Sequence, residues 1–393
     1  MRILHIIGTL NPEAGGPTES VRVLLSYGPI GYTGEVVTLD HPDAPYLADI
    51  GFPIHALGPT STTYGFNSRL LPWLIANRHR FDGVVVNGLW QYCGYAAWRA
   101  LAGNTPYVVF THGMLDPYFR YAFPLKHMKK WLYWVPFEYR VLRDAYRVLF
   151  TSKAEKRLAE QSFFLHRWNA YVVPYGASGP KGNPTSQREA FYEQCPASRN
   201  KRFLLFLGRI HRKKGCDMLI EAFAKVAASD PELYLVMAGP DQQHWSSHLK
   251  EMAAAGGIAD RVFWPGMLLG DAKWGSIFAS EAFILPSHQE NFGIAVAEAL
   301  GCGRAVLLAD KVNIAEEIAA EDAGLMETDT PHGTLRLLQR WIAMTPDERV
   351  AMGESAFRCF HDHYDMQENA KAIIRLFEGA GDIAPAEPQL TRS

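Results

Sequence analysis

Short continuous apolar runs at residues 2–7, 35–39, 83–86, 107–110, 146–150, 202–207, 234–238, 282–286 and 305–308 alternate with stretches of helical period. Uninterrupted apolar runs predict strands covered on both faces, and alternation with helices predicts βαβ units and parallel sheets. The helical segments fall at 21–25, 70–76, 92–101, 218–228, 294–300, 313–318, 335–342, 347–360 and 366–379. With 393 residues the pattern predicts an α/β protein of two Rossmann-like domains. The first spans 1–180 and the second 181–365, a last helix covers 366–379, and a flexible tail covers 380–393. Gly, Pro, Ser and polar residues crowd 177–200, which reads as the interdomain linker and an irregular lead-in.

In such sheets chemistry gathers beyond the carboxyl ends of the strands, and several segments there carry reactive groups. After the first strand comes Gly15-Gly16-Pro17, where a glycine pair brings backbone close to a ligand or merely makes a tight turn. It is not Gly-x-Gly-x-x-Gly, so a nicotinamide cofactor is not indicated. The strand 107–110 delivers Thr111-His112-Gly113. The strand 202–207 delivers Gly208-Arg209, then Lys214-Gly215-Cys216-Asp217, with Asp217 a candidate N-cap for the next helix. A planar guanidinium and a flexible ammonium suit a diphosphate: one gives bidentate contact, the other a point charge, and no metal is required.

The strand 282–286 leads into Ser287-His288-Gln289-Glu290-Asn291-Phe292-Gly293, then a helix carrying Glu298 and closed by Gly301 and Gly303. A helix starting near Phe292 offers the amides of Asn291, Phe292 and Gly293 to an anion or a sugar hydroxyl. Continued as helix, the spacing from Glu290 to Glu298 returns both carboxylates to one face. The same pair also fits a solvated helix face.

Composition alters this little: 48% hydrophobic and 20% charged residues with a net charge of −2 give no field suited to nucleic acid. Five scattered cysteines without a Cys-x-x-Cys pair suggest free thiols in a reducing compartment rather than a disulfide frame or zinc site. The first residues read as a strand and not a signal peptide, no run is long enough for a membrane span, and a cytoplasmic location is expected. Charge is nevertheless uneven. Residues 120–157 carry ten Lys/Arg and three Asp/Glu among Trp131, Tyr133, Trp134, Phe137 and Tyr139. The segment fits an anionic membrane surface, such as the inner face of the cell membrane, or a helix with aromatics in the core and charges in solvent.

Glu290-Asn-Phe-Gly, seven residues from Glu290 to Glu298, Pro286-Ser287 before it, and Gly208-Arg209 with four residues to Lys214-Gly215 resemble the signatures of retaining glycosyltransferase family 4. His112-Gly-Met-Leu-Asp-Pro117 after Asn87-Gly-Leu-Trp90 is similar to a subgroup that makes bacterial surface polysaccharides. That subgroup commonly has His where Asn87 stands, so Asn87 is not carried into the site. The resemblance implies a GT-B fold: two Rossmann-like domains with sheets facing across a cleft, the last helix crossing back to the first domain. It also implies a retaining, metal-independent glycosyltransferase acting in exopolysaccharide, O-antigen or other surface glycan synthesis. The donor is a nucleotide diphosphate sugar used as substrate, with no cofactor, and the acceptor is a glycan or lipid-linked glycan.

By the same resemblance Glu290 orients the donor sugar with Asn291, Phe292 and Gly293, and Glu298 holds the ribose. Arg209 and Lys214 take the diphosphate, Gly16 lies at the donor or acceptor, and His112 meets the sugar from the first domain. A sugar-nucleotide epimerase, a phosphorylase of the same fold and a non-catalytic sugar-nucleotide sensor remain as alternatives.

Overall fold

The apolar runs become the centres of two all-parallel sheets, described in a computed structural model covering residues 1–27, 31–48, 50–60, 62–122, 124–241 and 244–378. In the first sheet the strands are β1 (Arg2–Ile7), β2 (Thr33–Thr38), β3 (Ile54–Ala56), β4 (Gly83–Asn87), β5 (Tyr107–Phe110), β6 (Arg147–Phe150) and β7 (Ala170–Val172). Their order is β3-β2-β1-β4-β5-β6-β7. The second sheet contains β8 (Arg202–Leu207), β9 (Leu233–Ala238), β10 (Val262–Gly266), β11 (Ala282–Leu285), β12 (Ala305–Ala309) and β13 (Gly324–Glu327), in the order β10-β9-β8-β11-β12-β13. Central strands such as β4 and β12 are buried along their whole length, which is why their sequences are apolar without alternation.

The chain divides into one unit of Met1–Tyr175 with the segment from Met366 on, and a second of Gly176–Asp365. The last helix, Met366–Glu378, belongs to the first unit. Its Phe377 ring fills the space a side chain on Gly83 would need, and Asn369 Nδ2 donates to the Tyr175 carbonyl at 3.0 Å. The tail expected over 380–393 lies outside the described residues.

Several local expectations need correction. Residues 177–200 are not merely a linker: Pro184–Gln194 is a helix, capped by Asn183, whose Oδ1 accepts from Thr185 N at 2.8 Å. Asn183 before Pro184 is a helix start, and averaging composition over the segment hid it. This helix buries Phe191 and packs so closely on the helix Gly270–Ala279 that Gly275 leaves no room for a Cβ beside the Gln187 carbonyl. The short edge strands β3, β7 and β13, three or four residues each, carry too little apolar sequence to stand out. Asp217 is not the N-cap of the helix Cys216–Val226. Gly215 is, in the left-handed region at φ 65°, and a Cβ there would overlap the Pro286 carbonyl oxygen.

Candidate functional site

In the second unit the candidate residues lie beyond the carboxyl ends of β8 and β11, joined by long-range bonds. Lys213 O accepts from His288 N at 2.9 Å and from Ser287 Oγ at 3.0 Å, while Gly215 lies against Pro286. The loop from Arg209 to Gly215 and the turn from Pro286 to Glu290 are therefore one construction, although more than seventy residues separate them in sequence. Its central contact is an ion pair and hydrogen bond from Lys214 Nζ to Glu290 Oε2, both side chains largely buried. Burial alone would raise the Glu290 carboxyl, but the Lys214 ammonium, Lys213 and the Asn291 amide hold it below the usual carboxylate range.

The Glu290 backbone is clamped as well: its N–H donates to Lys311 O at 3.0 Å and its carbonyl accepts from Asn313 N at 3.0 Å. Asn313 Nδ2 in turn donates to Asn291 Oδ1 at 3.2 Å. Arg209, just past β8, is exposed. His288 Nδ1 meets Asp329 Oδ1 at 2.7 Å, and that bond raises the imidazole pKa.

The expected helix start is displaced. The helix runs Ile294–Gly301 with Gly293 at its N-cap in the left-handed region, φ 78°. Asn291, Phe292 and Gly293 thus form the turn before the helix, and the Phe292 ring is buried edge-on to Tyr364. Because residues 290–293 are not helical, helical spacing does not relate Glu290 to Glu298. The two carboxylates have different partners. Glu298 accepts from Lys273 Nζ, on the helix Gly270–Ala279, at 2.6 Å.

In the first unit, His112 follows β5 with φ 48°, and Trp90 follows β4 with φ 68°, two non-glycine residues in the left-handed region at neighbouring strand ends. Asn87, left out on sequence grounds, is the partner of His112: Asn87 Oδ1 lies 3.3 Å from His112 Nε2. Asn87 Nδ2 faces the Ile6 and Val85 carbonyls, which orients the amide with its oxygen toward the imidazole. Burial lowers the His112 pKa to about 3, so the ring is neutral, with its proton on Nε2 and an acceptor at Nδ1. The ring stacks on Phe110 at 4.6 Å. Leu89 N and Trp90 Nε1 also donate to Met114 Sδ and Met114 O, at 3.1 and 3.3 Å, so the two sequence motifs lock together.

Two buried carboxylates that the sequence reading passed over hold these loops. Glu155 accepts four bonds: Thr111 Oγ1 and Gly113 N at 2.6 Å each on Oε1, and Thr151 N and Thr151 Oγ1 at 2.7 Å each on Oε2. The one sequence signal was Ser152-x-x-Glu155, a helix start confirmed by Glu155 N donating to Ser152 Oγ. Asp40 does the same for the loop leading to Gly15 and Gly16, accepting from Thr9 Oγ1, Leu10 N, Thr38 Oγ1 and Tyr46 OH at 2.5–2.9 Å. Gly16 begins the helix Gly16–Ser26, with Gly15 at its N-cap. Glu155→Gln sets an amide NH₂ against donors that need an acceptor. The expected result is a loss of roughly 1–3 kcal/mol in denaturant unfolding; an unchanged midpoint would show that the four bonds contribute nothing.

Residues 22–176 match the family "Glycosyl transferase 4-like domain", and residues 187–358 match "Glycosyl transferases group 1". Among curated proteins, the lipopolysaccharide core biosynthesis mannosyltransferase LpsB of Rhizobium meliloti is 24% identical over 61% of this chain and 74% of its own length. A D-inositol 3-phosphate glycosyltransferase of Streptosporangium roseum is 31% identical over 35% of this chain. The alignment spans only 34% of that relative's length. Among solved structures, Anabaena HepE in complex with UDP and glucose superposes with TM-score 0.74 at 17% identity, over 96% of this chain and 100% of that one. WaaG, a glycosyltransferase involved in lipopolysaccharide biosynthesis, gives TM-score 0.69 at 18% identity, over 96% and 100%. With two parallel-sheet Rossmann-like units, each matched by a glycosyltransferase family, and these structural neighbours over nearly its whole length, the chain belongs to the glycosyltransferases of the GT-B fold.

Proposed function

We propose that the protein transfers a sugar, with retention of configuration and without a metal ion, from a nucleotide diphosphate to an acceptor hydroxyl of a glycan or lipid-linked glycan in bacterial surface polysaccharide synthesis. The observation that carries this reading is the Lys214–Glu290 pair, a cation and a carboxylate held together beyond the carboxyl ends of β8 and β11. Lys214, with Arg209, neutralises the leaving diphosphate. Glu290 and the amides of Asn291, Phe292 and Gly293 orient the donor sugar, and Glu298 takes the ribose hydroxyls. In the first unit, Gly16 lies at the donor or acceptor, and neutral His112 offers Nδ1 as an acceptor to a sugar hydroxyl. The acceptor oxygen bonds to the anomeric carbon as the bond to phosphate breaks on the same face. The acceptor's proton passes to the departing phosphate oxygen, and a nucleoside diphosphate leaves. Positioning and charge supply the acceleration.

The mannosyltransferase relatives make a mannosyl donor the first to test, and the HepE complex makes UDP-glucose the second. In a thermal-shift screen of GDP-, UDP- and ADP-sugars, one base should raise the melting temperature, because a ligand bound only by the native state stabilises it. No shift with any of the three would sink the assignment.

The reading extends to location. Tyr121, Leu125, Met128 and Leu132 recur every three or four residues along Tyr118–Ala122 and Pro124–Tyr133, and are 77%, 76%, 65% and 82% exposed. Lys126 and Lys129, also exposed, stand beside them, while Trp134 on the inner side is fully buried. An outward apolar stripe flanked by lysines supports docking at an anionic membrane on the cytoplasmic side. The protein should float with phosphatidylglycerol vesicles at low salt and be released as salt rises. Equal recovery with phosphatidylcholine vesicles would reject the docking.

A further inference from the structure

At the amino-terminal ends of the second sheet, opposite the ends that carry Lys214 and Glu290, lies a cavity of about 1070 Å³. Arg202 and Ala305, the first residues of β8 and β12, and Glu281, just before β11, line it with an apolar wall of Trp341, Val350 and Phe357. The charges on its walls are unevenly matched. Arg202 binds Glu281 and Asp230 at 2.9 and 3.2 Å, and Arg349 binds Glu281 at 3.2 Å, so those two carboxylates are engaged, while Glu354 and Arg358 add one charge of each sign to the wall.

Arg304 has no carboxylate partner among the described residues, and its Nε is buried without a hydrogen bond. Trp341 Nε1 and Arg349 Nε are in the same condition, and Trp341 is only 1% exposed. All three orphaned atoms are N–H donors. The Nε and Nε1 atoms are closed to solvent, so the group on the cavity wall open to an acceptor is the rest of the Arg304 guanidinium, which has no hydrogen bond or carboxylate partner among the described residues. Beside them the wall is aromatic and aliphatic, and Val350 and Phe357, 62% and 48% exposed, give access from solvent.

We propose that this cavity binds a small organic anion, its carboxylate or phosphate oxygens on the Arg304 guanidinium and its apolar body against Val350, Phe357 and the edge of Trp341. Arg304 closes the helix that carries Glu298, its N–H donating to the Ala299 carbonyl at 2.9 Å, so the ligand touches the end of that helix. A guanidinium in a half-apolar cavity selects an oxyanion by charge-assisted bonds, and the wall selects the body attached to it.

The test is calorimetry on the full chain with 3-phenylpropionate and phenyl phosphate, against 3-phenylpropanol and inorganic phosphate as controls. At least one aromatic anion should bind tenfold or more tightly than either control. Arg304→Gln should weaken that binding at least about tenfold. Val350→Trp, which fills the mouth from an exposed position and leaves every buried group in place, should do likewise without changing the melting temperature. The proposal is overturned if neither aromatic anion binds, if the alcohol or inorganic phosphate binds as well, or if Val350→Trp leaves the affinity unchanged.

Discussion

Lys214→Ala is expected to weaken nucleoside diphosphate binding by roughly 1.5–3 kcal/mol, ten- to hundredfold, the usual worth of a charge-assisted contact. The ammonium is held in place before any ligand arrives by its bond to Glu290 and by the seating of Gly215 on Pro286, so no entropy of ordering is left to oppose the contact. The substitution should also destabilise the free protein, because it removes the main counter-charge from the buried Glu290 carboxyl. A carboxyl with a depressed folded pKa stabilises at neutral pH and loses that contribution as pH falls through the carboxylate range. In Lys214→Ala the acid limb of the stability curve should therefore flatten, since the folded and unfolded pKa values of Glu290 converge. Arg209→Ala should weaken nucleotide binding without this pH effect, because Arg209 is exposed. Both variants should keep their residual activity in EDTA. Unchanged nucleoside diphosphate affinity in calorimetry for both variants would refute the assignment of this pair to the diphosphate.

Glu290→Gln and Glu298→Gln are expected to fail in different ways. Glu290, assigned to the sugar, acts where the bond breaks, so its loss should lower kcat by two orders of magnitude or so. Affinity for the free nucleoside diphosphate should stay nearly intact, because Glu290 is assigned to the sugar and not to the diphosphate. Glu298, assigned to the ribose, acts away from the reacting carbon, so its loss should raise donor KM and nucleoside diphosphate Kd together with little change in kcat. Glu298 also pairs with Lys273, so melting temperatures accompany the kinetics. Full kcat in Glu290→Gln would show the site to be wrongly drawn.

The local patterns were legible to different depths. Arg209, Lys214, Glu290 and Glu298 stood out because strand ends and helix starts are written in adjacent residues. The helix at Pro184–Gln194 was just as local, and reading composition instead of the Asn183-Pro184 start lost it. Asn87 is a different case. It departs from the related pattern, yet its amide oxygen meets the His112 imidazole from a neighbouring strand end, a relation no stretch of sequence contains.

What the sequence determined by itself is the architecture: continuous apolar runs can only be buried on both faces, and that requires parallel sheets covered by helices. What only the tertiary structure decided is the partnership of charges. Lys214 with Glu290, Lys273 with Glu298, and Glu155 with Thr111 and Gly113 all join residues from separate βα units. Periodicity specifies which face of an element is buried. The partner of a buried charge is set by strand order and by where each chain leaves the sheet, which exist only after folding.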